Sequence, residues 1–372
     1  MTNPSSFAET LPRLLTCIEG GLDLAEADFA ALAHELFTLQ FAHVAPYRSL
    51  CEARRVTPDS RTDWRHIPAV PTAAFKELDL TSLTPAERTG VFHSSGTTEH
   101  RPSRHFHSTE SLAVYEASLL AWFERHVRPD ARTDKSPARF LCLAPPPEQA
   151  PHSSLVHMFA AVSRAFGAPD SCFLASAGAD NSWSLDSAAA LAGLRHVEQT
   201  NQPLLLLGTA FMFVHLLDTL AQHDLAITLP PGSRVMETGG YKGRSRELPK
   251  AELHALITAR LGIPPAAIIC EYGMSELSSQ AYDRVAGAPS ILSPQSSIFS
   301  FPPWARALVT SPETGREVAD GETGLLRIFD LANVRSVMAI QTEDLAVRRG
   351  DGFELLGRAT QVEARGCSLL AR

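Results

Sequence analysis

The sequence predicts an α/β protein with a small β-rich subdomain toward its C-terminal end, on three observations. Short apolar runs, Phe140 to Leu143 and Leu204 to Leu207 among them, alternate with segments of helical periodicity. Those runs are continuous in apolar character, the pattern of strands buried on both faces. From Trp304 onward the texture changes to short alternating runs with glycine turns, such as Gly321-Glu322-Thr323-Gly324 before Leu325 to Phe329.

Taken in order, Leu22 to Arg55 reads as helical, because Leu24, Phe29, Leu32, Leu36 and Phe37 recur near helical spacing. Pro46 is expected to interrupt that helix, since proline lacks a backbone donor and clashes with the preceding turn. The Pro-punctuated stretch Ile67-Pro68-Ala69-Val70-Pro71 leads into Phe75-Lys76, and Val91-Phe92 carries a short strand signal. Thr109 to His126 suits an amphipathic helix. Phe211 to Gln222 reads as the helix following the second buried strand.

A chain of 372 residues can form one large or two ordinary domains, and 44% hydrophobic with 20% charged residues is the balance of a soluble globular protein. The formal net charge of −8, without a block of like charge, argues against a nucleic-acid surface. Met1 to Pro12 is polar and lacks an apolar signal core. Apolar stretches such as Pro203 to Leu207 are too short to span a bilayer. Cys17, Cys51, Cys142, Cys172, Cys270 and Cys367 are scattered without a CxxC pair, which fits reduced thiols in a cytoplasmic protein. The histidines form no HExxH, so no structural metal is expected.

Two loops carry residues suited to chemistry. Ser94-Ser95-Gly96-Thr97-Thr98 follows Val91-Phe92, and small residues at this density let backbone N–H groups and hydroxyls cradle phosphate oxygens. Arg101 and Arg104 follow and could complement the charge, although the GK[ST] ending of a Walker loop is missing. On its own the string reads equally well as a polar surface loop. Glu271-Tyr272-Gly273-Met274-Ser275-Glu276 offers an aromatic face, a permissive glycine, a hydroxyl and a carboxylate. Those parts can stack a purine, touch a phosphate and hold magnesium. A strand-to-helix turn with an acidic residue explains the same string. It is no nucleophile elbow, because Glu276 replaces the second glycine of GxSxG.

The order of Ser94 to Thr98, Tyr272 to Glu276, Thr342-Glu343-Asp344 and Gly357-Arg358 resembles the motif series of the adenylate-forming superfamily of acyl-CoA synthetases, luciferases and adenylation domains. Within it, the chain is most similar to the acyl-protein synthetase component of the bacterial bioluminescence fatty-acid reductase. The matching stretches are Val44 to Arg48, Ile67 to Lys76, Phe92 to Thr98, Ser103 to His107, Tyr115 to Leu119, Ser153-Ser154-Leu155, Thr238 to Arg244 and Arg365-Gly366-Cys367. Together they run through nearly the whole chain.

This resemblance implies the adenylate-forming N-terminal-domain fold, with mixed sheets flanked by helices. With the change of texture at Trp304, the expected division is a helical N-terminal part (1–90), an α/β nucleotide- and acyl-binding core (91–303), the β-rich subdomain (304–356) and a short tail carrying the candidate acceptor cysteine (357–372). The resemblance implies ATP and Mg²⁺ as cofactors, a fatty or other carboxylic acid as substrate and an acyl reductase as partner. Ser94, Ser95, Gly96, Thr97 and Thr98 would hold the β- and γ-phosphates. Tyr272 would lie along the adenine, with Gly239-Gly240-Tyr241 on its other side, and Gly273 would belong to the same nucleotide-binding set. Ser275 would contact the α-phosphate, Glu276 would bind Mg²⁺, Asp344 would bond the ribose hydroxyls and Arg358 would sit near ribose or phosphate. Alone, Asp344 reads as a turn carboxylate and Arg358 as a solvated charge.

Two departures from the superfamily pattern stand out. The phosphate loop continues Glu99-His100-Arg101-Pro102-Ser103-Arg104 in place of Gly-x-Pro-Lys, which passes the basic role to an arginine, Arg104. The sequence also stops at Arg372, so the usual C-terminal domain with its catalytic lysine is expected to be missing. Lys242, in the glycine-flanked cluster Gly240 to Arg244, is the candidate replacement cation, a turn with solvated charges being the alternative. The resemblance makes Cys367 the acceptor of the acyl group. Its glycine-flanked tail, if extended, spans roughly 15 Å, and Arg365 could lower its thiol pKa. A small apolar residue packing the tail is the other reading. The first rival function is an acyl- or aryl-CoA ligase of the phenylacetate type, which would release a diffusible thioester. The second is a catalytically inert nucleotide-binding protein.

Overall fold

The computed structural model describes residues 6–20, 24–60, 63–94, 101–132, 135–180, 182–241, 245–288 and 297–359. It divides into two compact units, one built from Met1–Ala121, Met274–Ala281 and Ile298–Arg372, the other from Trp122–Gly273 and Tyr282–Ser297.

The first unit opens with the helices Phe7–Glu19, Glu26–His43 and Ala45–Ala53. The stretch read from sequence only as polar starts a helix, with the Ser6 N–H and hydroxyl both donating to the Glu9 carboxylate. The expected interruption beside Pro46 is present: two helices meet at Val44, which is extended at φ −109° and ψ 91°. Pro46 lies in the first turn of the second helix. There its missing N–H costs nothing, because first-turn amides have no partner within the helix.

Strands Ile298–Phe299, Gly352–Arg358, Ala339–Arg349, Thr323–Asp330 and Ala305–Thr310 lie in that spatial order, each antiparallel to the next. Val70–Pro71 adds in parallel to the start of Ala339–Arg349. Gly324 permits the pairing of Thr323–Asp330 with its neighbour, since a Cβ there would stand 2.5 Å from the Thr310 carbonyl oxygen. A separate antiparallel pair joins Gly90–His93 to Arg104–His107.

The second unit is organised by five parallel strands, in the order Cys172–Phe173, Arg139–Leu143, Leu204–Thr209, Arg234–Thr238 and Ile268–Tyr272. Leu204–Thr209 is buried at every position, as its continuous apolar run anticipates. Helices Ser154–Phe166, Ser187–Thr200, Ala210–Gln222 and Lys250–Leu261 connect and cover the strands. Ser153 and Asp186 cap two of them by accepting from the amides of Val156 and Ala189. Leu141, Leu143, Leu206, Phe213, Leu216 and Ile257 lie in one apolar core. Each such side chain contributes about 1.5–3 kcal/mol by leaving water.

Both units therefore mix helices with sheets, the α/β architecture that the sequence predicts. Among the described residues no helix is long and apolar enough to cross a membrane. The five described cysteines are all free thiols.

His126 tests the packing of the second unit. It is buried, its Nδ1 lies 3.1 Å from the Trp122 carbonyl oxygen, and its ring stacks on Tyr282 at 5.3 Å. Burial pushes its pKa down to about 4, whereas an unfolded histidine titrates at about 6.5. As pH falls between those values the unfolded chain takes the proton first, so stability is lost in that window. His126→Phe keeps the stack without the titration. In urea unfolding, the wild type should lose roughly 2 kcal/mol more than the variant between pH 7 and pH 5.

Candidate active site

In the first unit, Ser94 follows the strand Gly90–His93. Its N–H donates to the Ser103 carbonyl at 3.3 Å, and its Oγ accepts from the Ser103 N–H at 3.0 Å. Ser103 Oγ lies 3.4 Å from Ser275 Oγ, which in turn donates to Glu276 Oε2 at 3.1 Å. The edge of the first motif is thus tied to the serine and carboxylate of the second through Ser103. Glu276 is buried and its Oε2 accepts from the neighbouring serine hydroxyl.

Residues 273–280 form neither helix nor strand, yet Ser275 through Gln280 are buried. Buried backbone without a ladder must find partners elsewhere. His105 Nδ1 lies 3.0 Å from the Ser275 carbonyl oxygen, and Asn333 Nδ2 donates to the Glu276 carbonyl at 2.9 Å. Asp330 accepts from the amides of Ser278 and Ser279 and from Ser279 Oγ, each at 2.8 Å. A carbonyl can only accept, so His105 carries its proton on Nδ1. Burial pushes the His105 pKa down to about 4 and leaves the ring neutral at pH 7. Burial also pushes Asp330 up to about 6, against the pull of the groups that donate to it.

Arg104 is paired, its Nη2 standing 2.9 Å from Asp79 Oδ1, and Arg88 shares the same carboxylate at 2.8 Å. Asp344 and Arg358 are register partners on adjacent strands. The Arg358 guanidinium lies 3.9 Å from Asp344 Oδ1 and 3.9 Å from Glu343 Oε2, with its side chain 65% exposed. On the same strand, Thr342 accepts from the Asp344 N–H at 3.1 Å and donates to the Leu326 carbonyl at 2.8 Å.

In the second unit, Gly239-Gly240-Tyr241 follows the strand Arg234–Thr238, and Gly273 follows Ile268–Tyr272. These are the carboxyl ends of adjacent parallel strands, where α/β sheets hold their ligands. Thr238 Oγ1 donates to the Glu271 carboxylate between the two strands. Burial raises the Glu271 pKa to about 7, with Thr238 opposing and Glu237 adding to the rise. His254 Nε2 lies 3.2 Å from Glu237 Oε1. Tyr272 is buried, and burial raises the phenol pKa of the half-buried Tyr241.

Ser95, Gly96, Thr97, Thr98, Lys242, Arg365 and Cys367 lie outside the described residues. Among the described residues no group of three or more His, Cys, Asp or Glu side chains converges to hold a metal. The motif reading gave no role to Ser103, His105, Asp330 or Asn333. Ser103 and His105 fall in a stretch that resembles the family. Asp330 and Asn333 fall in no motif, and polar residues after an apolar strand read simply as a turn.

The fold is shared with solved ligases. It superposes on an open conformation of 2-hydroxyisobutyryl-CoA ligase, in complex with 2-HIB-AMP and CoA, with a TM-score of 0.63 and 14% identity. The match covers 90% of this chain and 74% of that one. The postadenylation state of the same ligase, with R3-HIB-AMP, gives a TM-score of 0.63 at 14% identity over 90% and 68% of the two chains. No curated protein matches the chain significantly in sequence. The architecture is therefore that of the adenylate-forming ligases. The model of the family "Acyl-protein synthetase, LuxE" matches residues 26–371, and the chain belongs to that family, as an enzyme that forms acyl-adenylates.

Gly239 gives a local test. Its φ of +68° lies in the left-handed region, while a Cβ there would meet nothing within 4 Å. Gly239→Ala should therefore cost about 1–2 kcal/mol through backbone strain alone, measured as a lower urea midpoint with an unchanged slope.

Proposed function

We propose that the enzyme activates a fatty acid with Mg·ATP, transfers the acyl group to Cys367, and passes it to a partner acyl reductase. The observation that carries this reading is the family match over residues 26–371. The presence of 2-HIB-AMP and CoA in the similarly folded ligase supports both an adenylate and a thiol acceptor. Reduced, free thiols suit a cytoplasmic setting.

In the first step a carboxylate oxygen attacks the α-phosphorus, a C–O–P linkage forms, and the bond to the β-phosphate breaks to release pyrophosphate. Two anions must approach, so donors and cations around the phosphates lower the barrier. Ser94 to Thr98 would hold the outer phosphates, Ser275 the α-phosphate, and Arg104 and Lys242 would supply positive charge. Tyr272 and Gly239-Gly240-Tyr241 would flank the adenine, Asp344 would bond the ribose, and Arg358 would lie near ribose or phosphate. Glu276 would hold Mg²⁺, which when bound offsets phosphate charge. In the second step the Cys367 thiolate attacks the acyl carbonyl, AMP leaves, and the thiol proton passes to solvent.

The alternative, release of a diffusible CoA thioester, is favoured by the CoA in the similarly folded ligase. Intact-mass measurement after incubation with Mg·ATP and a panel of fatty and aromatic acids decides between them. The expected result is a hydroxylamine-labile acyl adduct on the wild type that is absent from Cys367→Ala. AMP formation without an adduct, and with CoA-dependent product release, would select the ligase.

A further inference from the structure

The buried segment that carries Ser275 and Glu276 is held almost entirely by side chains. Within it, Leu277 N–H reaches the Met274 carbonyl, but the bonds described above come from three separate places in the first unit. His105 lies on the strand Arg104–His107, Asp330 ends the strand Thr323–Asp330, and Asn333 follows in the next turn. All three are buried, Asp330 at 0%, Asn333 at 1% and His105 at 3% exposure.

Two of the three, Asp330 and Asn333, are themselves held by further hydrogen bonds. Asp330 also accepts from the Ala332 N–H at 3.0 Å. Ser279 gives its single proton to Asp330, so Ser118, 2.9 Å away, must donate to Ser279, and Trp304 Nε1 donates to Ser118 at 2.8 Å. The result is a directed chain from Trp304 through Ser118 and Ser279 to the carboxylate. Asn333 Nδ2 also donates to the Val337 carbonyl at 3.1 Å, and its own carbonyl accepts from Gln40 Nε2 at 2.8 Å. Gln40 Oε1 accepts in turn from the Met338 N–H at 2.9 Å.

The geometry points to His105, Asn333 and Asp330 as positioning residues that set where Ser275 and Glu276 present their side chains. His105 and Asn333 grip the carbonyls of those two residues, while Asp330 anchors the chain immediately beyond them. The three act through the segment. This role rests on the proposed use of Ser275 and Glu276 toward phosphate and Mg²⁺. The same framework helps an irregular segment to be buried from Ser275 to Gln280: the carbonyls of Ser275 and Glu276 and the amides of Ser278 and Ser279 find side-chain partners in place of a ladder.

The test uses Asn333→Leu, Asp330→Asn and His105→Leu in the full chain, with His105→Asn as the conservative partner, because its amide nitrogen can stand where Nδ1 stood. Asp330→Asn keeps the volume but turns an N–H₂ toward donors. Two readouts are taken: hydrogen–deuterium exchange of residues 274–281, and the Mg²⁺ concentration giving half-maximal acid-dependent pyrophosphate exchange. Exchange over 274–281 should rise about tenfold with Leu204–Thr209 unchanged. Half-saturating Mg²⁺ should also rise about tenfold or more. His105→Asn should restore most of both. Faster exchange throughout the chain with half-saturating Mg²⁺ unchanged would mark the residues as merely structural and overturn the inference. If the wild type shows no pyrophosphate exchange with any acid, the proposed function fails. The positioning role then stands or falls on protection of 274–281, and unchanged protection in the variants overturns it. Should Asp330→Asn not fold, the Asn333 and His105 variants decide the matter.

Discussion

Backbone amides and carbonyls taken out of water must be bonded, and at Ser275, Glu276, Ser278 and Ser279 this protein meets that demand with side chains, without a helix or a strand. Leaving even one such buried group unpaired costs about 1–3 kcal/mol. The positions of Asp330, Asn333 and His105 follow from this constraint. So does the burial of Ser118 and Trp304, which complete the hydrogen bonding of Asp330 through Ser279. A segment held in this way can present a serine hydroxyl and a carboxylate in a fixed relation, which a solvated loop could not do.

The parallel strands of the second unit solve a different problem with the same economy. Arg234–Thr238 and Ile268–Tyr272 run side by side and end together, so the glycines after one and the tyrosine of the other arrive at one edge. The Thr238 hydroxyl bonds Glu271 across the pair, which fixes the last residues of both strands. The motif Glu271 to Glu276 is divided at this point: its first three residues belong to the second unit and its last three to the first. Its aromatic ends a strand of the parallel ladder, while its hydroxyl and carboxylate are held through side-chain bonds to their backbone.

Charge placement follows burial. Glu271 and Asp330 are both buried acids pushed upward by desolvation, and each is partly compensated by hydroxyl donors, with backbone amides added at Asp330. Exposed Arg358, by contrast, stands 3.9 Å from its carboxylates and remains largely in solvent, where such pairs contribute about 0–1 kcal/mol. Arg104 is held by Asp79, so a role toward phosphate would require it to share or exchange that partner.

The sequence by itself determined the α/β class, because continuous apolar runs such as Leu204 to Leu207 and the amphipathic spacing of Phe211 to Gln222 are local signals. It also located the motif strings, since glycine, hydroxyl and acidic residues at fixed spacing are legible in one dimension. Pro46 marks the limit of local reading: the interruption was visible, but that the break falls at Val44, with the proline inside the first turn of the following helix, depends on the neighbouring residue's conformation. Only the tertiary structure decided what supports Ser275 and Glu276. Asn333 and Glu276 are 57 residues apart, and His105 and Ser275 170 apart. No periodicity or motif links such positions; what joins them is the need of buried carbonyls and amides for partners, and that need arises only once the chain has folded.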